Sequence, residues 1–437
     1  MGIQNFPLSL QPIIQQGFLE REFQQALNSR LGYRAVADRE EFAVGIGETL
    51  TKTRAGLKPS VTTPLVPSTN TNLDNGLTPQ SFSIEQYTIT LNFYAATADL
   101  NMVTSRVGIA SQFLLNAAIN GEQAARSLDE LARNALFPAY FAGNTRVRMT
   151  LGSASPTVDV DDIRGFTQVW VNGVPTPVSA ANPLTVTIGG NEYNLIGATA
   201  DGTDASGAPG GISGVLTLAT SVDVSDGTAN NTVMAATASA IVRPNGRSNT
   251  SQIVSTDQLD MATLLNAVAT LRLNAVPEID GAYNCYLDPV SARQLFGDQA
   301  FRQLFTGATS ANQVFKRGVV NDFLGLRFVP TTEAFVTGNS GSLIRRPIVC
   351  GKGALIEGDF AALAESDVAP KDSIVSVVDG IAMVTREPID RLQQIIAQSW
   401  YWIGGFTTPS DITTSPSTVP TATNAVFKRA VMVEHAG

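Results

Sequence analysis

LNMVTSRVGIASQFLLNAAINGEQAARSLDELARNAL, residues 100–136, is the stretch on which the fold turns. Val103, Val107, Ala110, Leu114, Ala117, Gly121, Ala124, Leu128, Leu131 and Ala135 recur at threes and fours without a break. That is the period of one helical face. At ~1.5 Å per residue the predicted helix is ~55 Å long, beyond an ordinary globular helix. Pro138 is its expected stop. The stripe is rich in Ala and Gly, so another element should pack close against its middle. No second helix of comparable length is available as a bundle partner.

Upstream, Ile14, Phe18, Phe23, Leu27 and Leu31 sit at loose helical spacing, and Val44-Gly45-Ile46-Gly47 reads as an extended arm. Residues 57–79 hold Pro59, Pro64, Pro67 and Pro79 with little apolar content, long for a structureless loop inside a compact domain. Ser81-Phe82-Ser83-Ile84 and then Tyr87-Thr88-Ile89-Thr90-Leu91-Asn92-Phe93 alternate strictly, with the phase slipping at Glu85-Gln86 as a bulge would make it. The unit is predicted to be a long β-hairpin with an irregular tip. A lone hairpin is marginal in water, so it must lie on something else.

Downstream, residues 149–241 contain no Lys and only Arg164 as a base, against eight acids: Asp159, Asp161, Asp162, Glu192, Asp201, Asp204, Asp223 and Asp226. Runs such as Gln168-Val169-Trp170-Val171 and Leu184-Thr185-Val186-Thr187-Ile188 are separated by turn dipeptides, among them Asn172-Gly173, Gly189-Gly190, Asp201-Gly202 and Asp226-Gly227. An inserted all-β module is expected, sandwich or barrel, its acids serving solubility. After it, Ser255-Thr256-Asp257-Gln258 has capping-box form before Leu259, Ala262, Leu265, Val268 and Leu271. Asp288-Pro289 reads as an N-cap followed by Pro at the first helical position. Strands are predicted at 282–287, 326–329, 347–350, 373–378, 381–385, 398–403 and 425–433. This last block is α+β.

Composition narrows the chemistry. With 437 residues, two or three domains are expected. Charged residues make only 15% of the chain, against ~25% in typical globular proteins, which suggests faces covered by other subunits. Net charge is −9 with no run of Lys or Arg beyond two, unlike a nucleic-acid-binding patch or a membrane-surface helix. The opening MGIQNFPLSLQPII lacks the basic-then-apolar pattern of a signal peptide, and no apolar run reaches membrane-spanning length. Cys285 and Cys350 are read as free, half-buried thiols, with a single bridge as the alternative. The one histidine, His435, lies in an expectedly frayed tail, a poor seat for a catalytic imidazole, and no two-His zinc site can be built. Cys350-Gly351-Lys352-Gly353-Ala354 lacks the ending of a phosphate loop, and Gly45-Ile46-Gly47-Glu48 the third Gly of a dinucleotide fingerprint. Asp161 and Asp162, the remaining carboxylate-pair candidate, read as a solvated turn. No catalytic residue, metal or cofactor is expected.

Arm helix, hairpin with a loose tip, one very long helix, then an α+β body: this order resembles the tailed-phage major capsid protein of Hong Kong 97 type. Local sequence is similar to the coat family of phages related to coliphage N-four. The stretches are Ser127-Leu128-Asp129-Glu130-Leu131-Ala132-Arg133-Asn134, Tyr286-Leu287-Asp288-Pro289, Phe323-Leu324-Gly325-Leu326-Arg327-Phe328-Val329-Pro330, Ile348-Val349-Cys350-Gly351-Lys352-Gly353-Ala354, Asp390-Arg391-Leu392-Gln393-Gln394 through Trp400, and Phe427-Lys428-Arg429-Ala430-Val431. The resemblance covers about 1–145 and 250–437 and leaves the insertion outside it.

The resemblance implies an α+β Hong Kong 97-type fold with an inserted all-β, Ig-like or sandwich domain. The N-terminal arm would be 1–50, the E-loop hairpin 51–98 and the spine helix of the peripheral domain 99–145. The inserted domain would be 146–250, and the axial domain with the remaining peripheral strands 251–437. It implies a non-enzymatic virion protein, assembled in the bacterial cytoplasm into hexamers and pentamers of an icosahedral shell. Expected partners are a separate scaffolding protein, a portal, a decoration protein and packaged double-stranded DNA bound without sequence specificity; no membrane is expected. Some proteins of this fold cross-link through a loop lysine. Lys52 and Lys58 lie in that region, but no acceptor is identifiable and no cross-link is expected. Subunit contacts are expected at Phe18, Phe23, Phe82, Ile84, Tyr87 and Phe93. The alternative readings are a secreted or tail-associated carbohydrate-binding protein or hydrolase and, after it, a cytosolic carboxylate-pair enzyme.

Overall fold

The computed structural model describes residues 32–42, 48–62, 81–101, 109–204, 211–302, 322–323, 325–339, 342–360, 373–386, 395–409 and 425–437. The expected helix over 11–31, with Phe18 and Phe23, the stretch 44–47, and residues 63–79 of the expected loop lie outside the described residues.

A 3-10 turn, Tyr33–Val36, leads into β1 (Ala37–Phe42), β2 (Thr49–Ala55), β3 (Ile84–Thr90), β4 (Asn92–Asn101) and helix α1 (Ile109–Phe141). β2 and β3 pair in unbroken register from Thr49 opposite Thr90 to Ala55 opposite Ile84. The expected bulge is therefore absent. The strand runs straight through Glu85-Gln86, burying Glu85, Tyr87 and Ile89 on one face and exposing Ile84 on the other. Glu85 tolerates the inward position because the cations of Arg54 and Lys428 act on it.

β4, expected to continue the hairpin, leaves it and pairs over ten residues with the late strand Ile395–Thr407. Residues 100 and 101 are consequently strand, not helix. A ten-residue ladder satisfies their backbone groups, and a few positions of helical spacing do not outweigh it. At the other end α1 runs past Pro138 to Phe141. An interior Pro costs ~3 kcal/mol, but Phe137, Tyr140 and Phe141 are all buried beside it, and each aromatic returns roughly 1.5–3 kcal/mol.

The inserted module comprises β5 (Asn144–Arg146), β6 (Ser155–Val160), β7 (Gln168–Val171), β8 (Val174–Pro177), β9 (Leu184–Ile188), β10 (Asn191–Asp204), β11 (Ile212–Val222) and β12 (Thr232–Ala235). Six of these make one antiparallel sheet in the order β5-β12-β9-β10-β11-β6. It closes on itself where Val147 bridges Val160 and Arg148 N–H donates to the Asp159 carbonyl at 2.8 Å. The module is thus a six-stranded barrel, not an Ig-like sandwich. One closed sheet lets Val158, Val160, Val186, Ile188, Leu195, Leu216 and Leu218 fill a single interior, and the join at Val147 and Val160 covers part of both edges. Asp201-Gly202, expected as a turn, lies inside the long β10. β7 and β8 stand off the barrel as a separate two-stranded ribbon.

The body follows with β13 (Ile241–Val242), α2 (Met261–Leu273), β14 (Tyr283–Leu287), α3 (Pro289–Gly297), β15 (Asp322–Phe323), β16 (Leu326–Pro330), β17 (Val336–Asn339), β18 (Ser342–Arg345), β19 (Ile348–Cys350), β20 (Leu355–Phe360), β21 (Ser373–Val378), β22 (Ile381–Arg386), β23 (Ile395–Thr407), β24 (Ala430–Val433) and β25 (His435–Ala436). The N-cap of α2 is Asp260, which accepts from Thr263 N–H at 2.8 Å, not the expected Ser255. Asp288 caps α3 with Pro289 at its first position, as read.

The sheet β13-β24-β19-β14-β16-β15 is a central layer. One face, with Cys285, Val349, Val431 and Val433, packs on α2 and α3. The other, with Tyr286, Ile348, Cys350 and Met432, packs on the C-terminal half of α1. The rest of α1 lies on the second sheet, β1-β20-β23-β22-β21, which β4 joins through β23. There Ala117, Ala124, Ala125 and Leu128 meet Met383, Trp400 and Trp402. The small side chains on α1 make room for two indoles, which is the close packing its stripe predicts.

Candidate interaction surface

Among the described residues, His435, Asp161, Asp162 and the two cysteines are all buried. His435 is fully buried, not frayed: Ser291 Oγ lies 2.7 Å from its Nε2, and the backbone oxygen of Ala436 2.8 Å from its Nδ1. Burial pulls its pKa down to about 4, leaving a neutral ring at pH 7. The sequence placed it in a loose tail because nothing local records the pairing of β25 with β18. Asp161 and Asp162 are buried as well, each neutralised by its own arginine. Arg146 Nε donates to Asp161 at 2.5 Å, and Arg164 Nη2 to Asp162 at 2.9 Å. Cys285 and Cys350 are free and fully buried; burial pushes both thiols up, away from the reactive thiolate. Strand β20, not a helix, follows Gly351-Lys352-Gly353, so no helix N-terminus faces that turn. Among the described residues no group of three or more His, Cys, Asp or Glu is placed to hold a metal, and no helix is long and apolar enough to cross a membrane.

A cleft of about 560 Å³ lies between barrel and body, lined in part by Arg146, Arg243 and Arg247. Arg243 pairs with Glu434 at 2.7 Å and Arg247 with Asp257 at 2.8 Å. Asp161 sits on Arg146, so each of these arginines has a carboxylate partner, Arg243 sharing Glu434 with Arg346. Burial raises the Glu434 carboxyl, yet Arg243 and Arg346 overcome it and hold it below the ordinary carboxylate value.

The surface that stands out is the hairpin. Its inner face is used by its own chain: Tyr87, Ile89 and Leu91 pack on Ile356, the Tyr87 hydroxyl donates to Glu40 at 2.8 Å, and Arg54 stacks over Phe427 at 3.5 Å. Its outer face is mostly threonine, with Thr49, Thr51, Thr53, Thr88 and Thr90 beside Gln86, and its open apolar side chains sit at the far end and in the segments beyond. Phe82 is 41% exposed, Ile84 48%, Leu57 60% and Val61 78%, with Lys58 Nζ 4.8 Å above the Phe82 ring. Lys52 is engaged by Glu40. Phe93 is exposed on β4, stacked on Tyr401. Of the expected contact residues, then, Phe82, Ile84 and Phe93 present surface, whereas Tyr87 is buried within its own chain. Leu115 and Ile119, exposed on α1, were not anticipated. They lie one turn apart and off the buried stripe, a pattern legible in the sequence as a second apolar pair on the polar side.

Five of the six stretches that carry the resemblance meet in one place; of the sixth, the described residues 395–400 lie in β23 of the second sheet. Asp129 of α1 accepts the backbone N–H groups of Gly32 at 3.0 Å and Arg34 at 3.2 Å. Tyr33 stacks on Tyr286, centroids 4.8 Å apart. β14 pairs with β16 and β19, β19 with β24, and Gly351 N–H donates to the Arg429 carbonyl at 2.8 Å. Five stretches scattered over 300 residues of sequence thus form the joint between α1 and the central sheet. Nearby, Arg34 reaches Glu357 at 2.6 Å and Asp379 at 3.0 Å, tying the start of β1 to the second sheet.

No family model matches the chain, and no curated protein is similar to it. Among solved structures, the chain is similar to the capsid of Ralstonia phage GP4, with 12% identity and a TM-score of 0.48 over 94% of this chain and 90% of that one. The capsid of cyanophage P-SCSP1u aligns with 12% identity and a TM-score of 0.46 over 93% and 89%. The cyanophage Pam1 capsid aligns with 12% identity and a TM-score of 0.44 over 94% and 92%.

Proposed function

We propose that this chain is the major capsid protein of a tailed double-stranded DNA bacteriophage. In this reading it has a Hong Kong 97-type fold and assembles with its own copies into an icosahedral shell enclosing the genome. The observation that carries the reading is the β2–β3 hairpin. It is a two-stranded element with one face committed to its own body and a far end whose apolar side chains are left exposed among the described residues. Exposing Leu57, Val61, Phe82 and Ile84 together is costly for a solitary protein and useful to one that completes its core on a neighbour. The order of arm, hairpin, spine helix α1 and α+β body supports the same reading, and the joint built by the five stretches supports kinship with N-four-like coat proteins.

Assembly then follows from geometry and needs no chemistry. The α1 spine, held on two sheets, gives each subunit a stiff plate, and the hairpin supplies adhesive area beyond its edge. The reading takes as partners a separate scaffolding protein that sets shell size, without which rings of five or six can still form, together with a portal and a decoration protein. It takes the virion as the final location, reached from the host cytoplasm. A cleft whose arginines are all paired, in a chain of net charge −9, suits a container from which DNA is ejected, since few counterions would be released on contact.

The test is sedimentation velocity with negative-stain imaging while the purified chain is raised stepwise in concentration with a crowding agent. Rings of five or six, or closed shells, are expected. A monomer at every concentration would overturn the reading.

A further inference from the structure

The inserted module touches the hairpin through the tip of its β7–β8 ribbon, and the contact there is backbone on backbone. The ribbon turns at Asn172-Gly173, where φ is +50° and +79°, the two-residue turn such a dipeptide favours. At its tip the Gly173 carbonyl accepts the N–H of Gln86 at 3.0 Å. That N–H lies on the side of β3 away from β2 and would otherwise be a free donor on a sheet edge. A Cβ built on Gly173 would stand 1.6 Å from the Ile84 carbonyl oxygen and 3.4 Å from Glu85 Cα. Only glycine permits this approach. The residues gripped, Ile84 to Gln86, separate the hairpin's base, buried on the body, from its exposed apolar end.

We propose that the inserted barrel is a strut for the hairpin: through Gly173 it caps the outer edge of β3 and fixes the angle at which the apolar far end is presented. The proposal rests on the shell reading for its consequence, which is uniform particle curvature, but not for the contact itself. An open strand edge would pair with edges of other copies, and a hairpin free to swing would sample several subunit angles. A barrel rooted between α1 and β13 and touching the hairpin beyond its base suppresses both. The negative charge of the module then has a use, because a strut must not itself adhere.

The test compares three full-length variants by hydrogen exchange of the unassembled chain, reading peptide 81–91. Gly173→Ala forces the ribbon off the hairpin and should speed exchange there at least fivefold. Gln86→Pro removes the donor alone, at a position where no ladder bond is lost, and should produce a similar rise without touching the barrel. Gly190→Ala is the control: φ there is +108° and a Cβ meets nothing within 4 Å, so it strains the barrel and should leave 81–91 unchanged. The pair Gly173→Ala with Gln86→Pro should do no more than either alone. Exchange at 81–91 that is unaltered by both single variants, or raised equally by Gly190→Ala, would overturn the strut. Particle imaging of the same variants reads the consequence separately. Mixed diameters or open sheets support it, and a strut broken in solution with shells of unchanged diameter rejects the curvature role. Failure of the native chain to form particles would count against the shell reading alone.

Discussion

The barrel and the hairpin are both β-structure, and they solve opposite problems. The barrel closes its sheet through Val147 and Val160, fills the interior with its own aliphatic side chains, and exposes Glu192, Asp201 and Asp223 while burying Asp161, Asp162 and Asp226. The hairpin has two strands, buries one face on Ile356, and leaves Phe82 and Ile84 open. A closed sheet is a finished object, while a hairpin with an exposed apolar end is half of a contact. The two can be told apart by where a substitution is felt: in the stability of the chain, or in its association.

The largest effect should follow from Phe82→Asp combined with Ile84→Asp. Both residues are exposed, so the melting temperature should hold within the change caused by about 0.5 kcal/mol, while particle formation, read by sedimentation, should be lost entirely. Intact particles from this variant would remove the hairpin from the interface. The converse is expected of Leu216→Ala in the barrel. A fully buried leucine cut back to Ala costs about 2–5 kcal/mol, visible in urea unfolding, and exchange should rise across 184–222 before it rises in the body. If the whole chain loosens together, the barrel is not the independent unit that its closed sheet implies.

Acid sharpens the contrast because the only histidine lies outside both regions. The folded His435 has a pKa near 4 and the unfolded one near 6.5, so the unfolded state binds the extra proton. Stability is complete above pH 6.5 and falls below it, by about 2 kcal/mol at pH 5. His435→Gln should flatten that slope in urea titrations at pH 7, 6 and 5, and the barrel, which has no histidine, should not share it. The smallest effect is expected of Glu192→Gln, an exposed barrel acid: under about 0.5 kcal/mol in stability, and unchanged particles. Lost particles there would make the barrel surface an adhesive face too.

Local signals carried much of this architecture. The stripe on α1, the strands β14, β16, β19, β21 and β22, the Asn172-Gly173 turn and the Asp288-Pro289 cap are settled within a few residues of themselves, and the sequence reveals them. By contrast, β17, β18 and β20 were not anticipated, and the expected strand over 425–433 begins only at Ala430. What it hides is settled at a distance. β4 abandons the hairpin because its best ladder lies on β23, some 300 residues away. The tail holding His435 is ordered by β18, and the barrel closes between residues that no turn rule connects. The hairpin surface was half legible. Alternation named Phe82, Ile84 and Tyr87 together, but which face goes inward depends on Glu85 finding Arg54 and Lys428, and those cations come from other elements.

The two cysteines lie on adjacent strands of the central sheet, yet in different cores. Cys285 faces the layer of α2 and α3, and Cys350 faces α1. Each thiol is a built-in clock for the opening of one side. Under mild denaturant, a thiol reagent that labels both at one rate reports a body that melts as a unit. Labelling of Cys350 ahead of Cys285 reports that the spine helix lifts away while the rest of the plate still stands.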